Sequence, residues 1–181
     1  KEHPEYRGLR IPADADTQWQ LLRGLLNIRE PRRIGTDFLQ IQDAYLQEEI
    51  AAKGITDAAD LTPLQPGLYL WQGDITTLRC DAIVNAASPD LRRSPGICDA
   101  IFAAADTRAL TAACKKLRRC PVGTAVVTPS FGLPCKYIIH VALGEWMGDL
   151  RTGKRLMEAC YRHAMQQALM CRCRTLAFPL V

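Results

Sequence analysis

The stretch covering residues 68–88 constrains the fold of this chain more than any other, and it reads LYLWQGDITTLRCDAIVNAAS. Two apolar runs, at 68–71 and 82–84, flank a Gly-Asp-Ile-Thr turn, and the second run leads directly into Asn85. Short apolar runs bounded by turn residues are typical of strands. The pattern therefore predicts a strand, a corner that faces a ligand, and a second strand that ends in a polar site.

Periodicity in the rest of the chain predicts alternating helices and strands. Apolar residues recur at helical spacing in four segments, 17–28, 36–53, 98–117 and 155–171. Three further segments are rich in β-branched residues or largely apolar, 123–129, 137–143 and 175–181. This order predicts an α/β fold of three α/β/α layers around a mostly parallel or mixed sheet, preceded by an N-terminal helical extension. Ligands of such sheets bind outside the carboxyl ends of the strands, where Asn85 and Ser88 are placed.

Composition narrows the class of partner. The chain has 181 residues, 48% of them hydrophobic, which suffices for one core of ordinary size. Its net charge of +4 favours an anionic ligand but lacks the dense basic stripe of a dedicated nucleic-acid binder, so nucleic acid is not an expected partner. The basic run at 115–119 ends a predicted helix, where positive charge suits the helix dipole without any ligand.

Cysteine usage and hydropathy indicate the compartment. The eight cysteines form no Cys-x-x-Cys pair and lie mostly within apolar patterns, which predicts reduced thiols and an intracellular, cytoplasmic protein. No apolar run approaches the length of a membrane span, so no membrane association is expected.

Two motifs resemble those of the macrodomain family, α/β modules that recognise ADP-ribose. Residues 73–76 match the family's G-D-I-T corner, and residues 82–88, AIVNAAS, match A-I-V-N-A-A-N except that Ser88 replaces the second Asn. A third segment, TPSFGLPCKYIIHVALG at 128–144, resembles the scaffold motif T-P-G-Y-N-L-P-x-K-Y-V-I-H-x-V-G-P. The resemblance implies ADP-ribose or a mono-ADP-ribosylated protein as the partner.

The resemblance also assigns roles to the first three site residues. It implies that the Asp74 carboxylate accepts a hydrogen bond from the exocyclic amine of adenine, while the backbone N–H of Ile75 donates to a ring nitrogen. Asp74 as a simple cap of its own turn is the alternative interpretation. Asn85 is expected to hold the following loop to the strand end, which differs little from a buried amide that satisfies local backbone groups.

The N-terminal helical extension, with LLNIREP and QDAYLQEE, resembles that of one branch of the family. Members of that branch carry zinc and remove ADP-ribose from proteins. We therefore expect an extension at 1–66 that packs on the core and a macrodomain at 67–181. The resemblance implies that the C-terminal part of this macrodomain is missing from the sequence. Zinc in that branch needs Cys, His and Cys in a long loop. Cys98 is the only cysteine or histidine between Asn85 and Ala100, and the three histidines, His3, His140 and His163, lie elsewhere in the sequence. We expect no zinc, no other metal site and no cofactor, and we interpret His140 as a satisfied core histidine.

The loop after Asn85 has the length of the ordinary family pattern N-A-A-N…G-G-G-G-V-D-G. In that alignment Gly96 takes the last loop glycine, Ile97 the Val and Cys98 the Asp. The resemblance implies that Ser88, Gly96 and Ile97 contact the ligand. Cys98 and, by a shift of one residue, Asp99 are the candidate catalytic groups in place of the family's Asp. A buried cysteine at a helix start is the alternative for Cys98.

The remaining family motif, the second glycine-rich loop S-T-G-x-x-G, would follow Val181, where this chain ends. Three functions stay open. The first is an ADP-ribose-binding macrodomain with weak or no catalysis. The second is a protein mono-ADP-ribosylhydrolase with an altered, zinc-free site. The third is a degenerate macrodomain that serves as a protein or nucleic-acid interaction module.

Overall fold

The computed structural model describes residues 8–28, 35–144 and 148–180. The chain forms two compact units, residues 1–35 and residues 36–181. In the first, helix α1 spans Ala15–Ile28, and the Asp14 Oδ1 atom accepts a hydrogen bond from the backbone N–H of Thr17 at 2.8 Å, which caps its first turn. His3 lies outside the described residues, and the predicted boundary between 66 and 67 stays a prediction.

The second unit opens with helix α2, Thr36–Lys53, as the sequence predicts. A small parallel pair follows, β1 at Thr56–Asp57 and β2 at Leu78–Arg79. The strand predicted at 68–71 is wrong, because these residues form no ladder and only Leu68 makes an isolated bridge, to Gln65. Leu68 and Leu70 are 54% and 83% exposed, so the apolar run has no neighbouring strand to pair with among the described residues.

The main sheet has four strands: β3 at Ala82–Ala87, β4 at Ala125–Pro129, β5 at Tyr137–Ala142 and β6 at Leu176–Ala177. Their spatial order is β4-β5-β3-β6. Strand β3 runs parallel to β5 and β6, whereas β4 runs antiparallel to β5. The sheet is therefore mixed, with the carboxyl ends of β3 and β5 at the same edge.

Three helices cover this sheet: α3 at Ile97–Ala104, α4 at Thr107–Leu117 and α5 at Leu150–Met170. The single helix expected over 98–117 is broken because the Asp106 carboxylate accepts a hydrogen bond from Ala109 N and starts a new helix. The last helix begins five residues before the predicted start because Asp149 caps it through Arg151 N and Thr152 N. None of the described helices is long and apolar enough to cross a membrane.

The core lies on both faces of the sheet, as three layers require. Alternate residues of β3 and β5 point to opposite faces. Ile83 and Ile138 pack with α3 and α4 on one face, while Val84 and Ile139 pack with α5 on the other. Since Asn85 and His140 follow the parity of Ile83 and Ile138, their side chains belong to the α3–α4 face.

Asp81 ties three strands together at the opposite, amino-terminal edge of the sheet. Its carboxylate accepts hydrogen bonds from Lys136 Nζ at 2.7 Å, Arg174 N at 2.7 Å and Thr175 N at 3.1 Å. These residues precede β5 and β6, while Asp81 itself precedes β3. The ion pair with Lys136 and the two backbone donors lower the pKa of Asp81 to about 2.

Candidate ADP-ribose site

The corner at Asp74 is a capped 3-10 turn. Asp74 Oδ1 accepts hydrogen bonds from Thr76 N at 2.9 Å and Thr76 Oγ1 at 2.7 Å, so the capping alternative holds. Both bonds use the same oxygen, and Oδ2 has no partner among the described residues. Because the first N–H of a 3-10 turn has no partner within the turn, the Ile75 amide is a second group without a hydrogen-bond partner among the described residues. Capping and ligand recognition are therefore compatible in one carboxylate.

The glycine before this corner leaves room for the Trp71 indole ring. A Cβ atom built on Gly73 would lie 2.1 Å from Cζ2 of Trp71, because the indole ring rests against the Gly73 backbone. Ile75 is only 9% exposed and packs in the same core cluster as Cys98. The corner is thus anchored on both sides while the Asp74 residue itself stays exposed.

A buried chain of polar side chains runs beneath the end of β3. Asn85 and His140 are fully buried and lie opposite each other in the β3–β5 register. Asn85 Nδ2 donates to His140 Nδ1 at 3.1 Å, and His140 Nε2 lies 3.0 Å from Thr128 Oγ1 on β4. Since the amide nitrogen can only donate, His140 carries its proton on Nε2 and donates to Thr128. Burial lowers the pKa of His140 to about 4, which keeps the ring neutral.

Asn85 also reaches the start of α3. Its Nδ2 lies 3.6 Å from Cys98 Sγ, whereas its Oδ1 is buried without a hydrogen-bond partner among the described residues. The amide therefore satisfies side chains on β5 and α3 rather than local backbone groups. In this position Asn85 fixes α3 against the sheet, and its side chain does not face solvent.

Hydrogen bonds and ion pairs within the segment stabilise the loop after β3. Ser88 Oγ lies 2.6 Å from Asp90 Oδ1, and this hydrogen bond is the main reason that the pKa of Asp90 is lowered. Arg92 Nε lies 2.9 Å from Asp90 Oδ2, and Arg93 Nε forms an ion pair with Asp99 Oδ1. The loop arginines are thus paired with acids of the same segment.

The four residues at the start of α3 differ in accessibility. Gly96 has φ 90° and ψ −142°, a conformation open to glycine, and it caps α3 without any side-chain hydrogen bond. Ile97 is half-buried, and the Cys98 side chain is 1% exposed, packed between Asn85 and the core. Asp99 is half-exposed but engaged by Arg93. The helix start therefore offers free backbone N–H groups, while its thiol is enclosed.

The donor set does not fit a zinc ion. Among the side chains that the structure describes, no three from His, Cys, Asp or Glu converge on a possible metal position. His140 is bonded to Asn85 and Thr128, and His163 Nδ1 on α5 lies 2.6 Å from Gly123 O in the turn before β4. We therefore derive no step through a metal.

The fold brings most of the predicted residues into one region. Helix α3 packs against the turn at Ile75–Thr77 and against β3, so the Asp74 corner, Asn85 and the Gly96–Cys98 segment adjoin. Ser88 lies in the loop between them. Sequence reasoning missed Thr128 in this region and Asp81 at the opposite edge of the sheet. A threonine inside an apolar strand and an aspartate directly before one were the available signals.

Comparison with known proteins identifies the family of the chain. The Macro domain family model matches residues 84–181, more than half of the chain, and the chain therefore belongs to the macrodomain family. The recognition drawn from the sequence motifs is confirmed, as are the α/β/α layers and mixed sheet.

Three individual proteins illustrate the relationship. The chain is 44% identical over 153 residues to a protein-ADP-ribose hydrolase of Treponema medium, covering 77% of this chain and 59% of that protein. It is 34% identical over 176 residues to a protein-ADP-ribose hydrolase of Staphylococcus aureus, covering 88% of this chain and 64% of that protein. The solved Oceanobacillus iheyensis macrodomain with ADP has a TM-score of 0.55 and 31% identity, over 59% of this chain and 60% of that one.

These matches also concern the N-terminal extension. Residues 67–181 make up less than two thirds of the chain, so alignments that cover 77% and 88% of it extend into residues 1–66. The chain itself spans 59% and 64% of the length of these two relatives.

Proposed function

We propose that the chain binds ADP-ribose, free or attached to protein, at the carboxyl ends of β3 and β5, with weak or no catalysis of its own. One observation carries the proposal: among the described residues, Asp74 Oδ2 and the Ile75 amide at the exposed corner have no hydrogen-bond partner, while Oδ1 stabilises the turn. One acceptor beside one donor matches the exocyclic amine and adjacent ring nitrogen of adenine. The two hydrolases and the ADP-bound macrodomain described above support this ligand class.

The start of α3 supplies groups for the diphosphate. Gly96 leaves the N–H groups of Ile97 and Cys98 without a capping side chain, and helix N-termini favour anions. Packing of α3 against the Asp74 turn places these donors beside the adenine corner. Ser88 Oγ, at the end of the same strand, is a hydroxyl donor for a ribose or phosphate oxygen once it exchanges its bond to Asp90.

Weak catalysis follows from the state of the two candidate catalytic groups. Cys98 is enclosed, so its thiol has no route to a ligand in this conformation. Asp99 is paired with Arg93, which disfavours its use as a general base because the cation stabilises the carboxylate. Hydrolysis is the second candidate function, and what favours it is the name shared by both relatives, protein-ADP-ribose hydrolase.

Calorimetric titration with ADP-ribose tests the binding proposal, using Asp74→Asn as the probe. The amide oxygen retains the cap to Thr76, while the NH₂ group replaces the free acceptor and opposes the adenine amine. We expect affinity to fall about tenfold to a hundredfold, the worth of one hydrogen bond to a charged group. Asp57→Asn is a matched control, because Asp57 caps a similar 3-10 turn through Ala59 N. Equal affinities for the Asp74 and Asp57 variants would refute the adenine assignment.

Incubation with a mono-ADP-ribosylated protein separates binding from hydrolysis. We expect retention of the label over the time in which a macrodomain hydrolase removes it. Cys98→Ala and Asp99→Ala identify the catalytic group should release occur, with Cys114→Ala as control for loss of a buried thiol in the same core. Release that Asp99→Ala or Cys98→Ala abolishes, and Cys114→Ala leaves intact, would establish the hydrolase instead.

A reducing compartment is part of the same proposal. All eight cysteines are free thiols, and burial raises the pKa of Cys80 to about 12 and that of Cys135 to about 11. Thiols that resist ionisation are poor nucleophiles and are stable in the reduced form.

A further inference from the structure

The positive charge of the chain is concentrated in one short segment. Residues 107–124 contain five cationic side chains and no acid, whereas the chain as a whole has a net charge of +4. The rest of the chain is therefore close to neutral, with a net charge of −1. Four of the five cations, Lys115, Lys116, Arg118 and Arg119, fall within five consecutive exposed residues at the end of α4. We call these four residues the basic rim.

The described residues do not neutralise the basic rim. No ion pair joins its members to an acid in the described parts of the chain, unlike Arg92 and Arg93 in the neighbouring loop, which pair with Asp90 and Asp99. Part of this charge complements the dipole of α4, but one or two cations in the last turn suffice for that. The four together exceed what the helix end requires.

The basic rim borders the candidate site. It ends one residue before Cys120, which is fully buried and whose backbone N–H donates to Pro89 O at 2.8 Å. Pro89 directly follows Ser88 in the loop after β3. This hydrogen bond holds the end of the rim against the loop after β3, which carries Ser88.

One member of the rim adopts a costly backbone conformation. Arg118 has φ 67° and ψ −52° just after α4, in the positive-φ region that favours glycine. Its N–H still donates to Cys114 O at 3.1 Å, as in an ordinary helix end. A glycine would form the same helix end without this strain.

We propose that the basic rim binds acidic side chains that flank the ADP-ribosylated residue of a target protein. This inference rests on the proposed function. When the ADP-ribose of a modified protein is bound at the Asp74 corner and the start of α3, the polypeptide that carries it must lie beside this site. An acidic peptide fits this surface better than a nucleic acid does. The four cations at one helix end form a compact patch, whereas a dedicated nucleic-acid binder presents a long basic stripe. The slightly acidic remainder of the chain disfavours a long polyanion.

The test compares mono-ADP-ribosylated peptides that differ only in their flanks, glutamate-rich or serine-rich, together with free ADP-ribose. The rim variant is Lys115→Ser, Lys116→Ser, Arg118→Gly, Arg119→Ser. We expect the intact protein to prefer the acidic peptide about tenfold at low salt, the sum expected of several exposed ion pairs. The rim variant loses that preference and binds ADP-ribose as before, and added salt removes the preference in the intact protein.

A matched control removes the same charge elsewhere. Arg151, Lys154, Arg155 and Arg162 are exposed on α5, which packs on the opposite face of the sheet from α3 and α4. Replacing these four by serine retains the preference for the acidic peptide if the rim is the binding surface. Equal loss in both variants would show a general charge effect and overturn the proposal.

Arg118→Gly alone distinguishes a binding role from a structural one. We expect its melting temperature to rise by about 2–4 °C, because the strain of positive φ is relieved. Its affinity for the acidic peptide falls in the same variant. A purely structural residue would not move the two quantities in opposite directions, and an unchanged affinity would contradict the proposal.

The outcomes separate this inference from the proposed function. Absence of binding to free ADP-ribose overturns both. Binding of ADP-ribose with equal affinity for acidic and neutral flanks overturns the rim alone. Tighter binding of a single-stranded oligonucleotide than of the acidic peptide, lost in the rim variant, would assign the surface to nucleic acid instead.

Discussion

Acid should weaken this fold through one buried imidazole. The ring of His140 is enclosed between Asn85 and Thr128 and is neutral, with its pKa lowered from 6.5 to about 4 by burial. A pKa that is lower in the folded than in the unfolded chain means that only the unfolded chain takes up a proton between these values. Stability is therefore complete above pH 6.5 and declines as the pH falls towards 4.

The size of the effect follows from the shift. At about 1.4 kcal/mol per unit, a shift of about 2.5 units amounts to about 3 kcal/mol of unfolding free energy lost between pH 6.5 and pH 4. That is a large fraction of the stability of an ordinary domain, about 5–15 kcal/mol. Binding at the crevice should weaken over the same range, since the imidazole holds Asn85 and through it the start of α3.

Urea unfolding of the intact protein and of His140→Gln, measured from pH 7 to pH 4, checks this prediction. Glutamine is neutral at every pH used, so groups common to both proteins cancel in the difference between the two profiles. We expect that difference to change by about 3 kcal/mol, whatever the variant's absolute stability. If the unfolding free energies of the two proteins changed with pH in the same way, the assignment of a buried neutral ring would be refuted. An imidazole that titrates near pH 6.5 by NMR would refute it as well.

Three further predictions concern other parts of the molecule. Asp81→Asn should cost about 1–2 kcal/mol at pH 7 after allowance for solvent screening, since the side chain is 17% exposed. The deficit should disappear as pH falls from 3.8 through about 2, and a deficit independent of pH in urea unfolding would contradict the ion-pair account. Gly96→Ala should cost about 1–3 kcal/mol through backbone strain alone, because a Cβ there meets no atom within 4 Å. A change below about 0.5 kcal/mol in the same assay would show that the loop relaxes. Mass spectrometry of the purified protein should find no stoichiometric zinc, and one zinc ion per chain would overturn the argument from the donor set.

Much of the fold could be predicted because local signals agree with it. The capped, periodic segment at Thr36–Lys53 folds as a helix with the predicted ends. The apolar run into Asn85 forms the central strand, since β-branched residues fit a sheet buried on both faces. The predicted helix over 98–117 failed at Asp106, where a side-chain cap restarts the helix, and periodicity is blind to such a break.

The run at 68–71 shows why a strand pattern alone is not enough. Its residues have strand propensity, but a strand also needs a neighbour for its backbone hydrogen bonds, and none is supplied by the described residues. Propensity describes one segment, whereas pairing is a property of two.

The candidate site divides in the same way. Motifs identified Asp74, Ile75 and Asn85, but only the structure shows that Asn85 bonds His140 and Cys98 instead of local backbone. That contact depends on strand register between residues 55 positions apart, which spacing along the chain does not reveal. Proximity of the basic rim to the loop after β3 likewise rests on one long-range hydrogen bond, from Cys120 N to Pro89 O.

The central claim is that ADP-ribose is recognised at the Asp74 corner and the start of α3. Backbone NMR during titration with ADP-ribose tests it most directly. We predict saturable shifts of the Ile75 and Ile97 amide resonances, with the Ile75 shift lost in Asp74→Asn. Unperturbed amides at both positions with millimolar ligand, or shifts confined to another face of the sheet, would contradict the account.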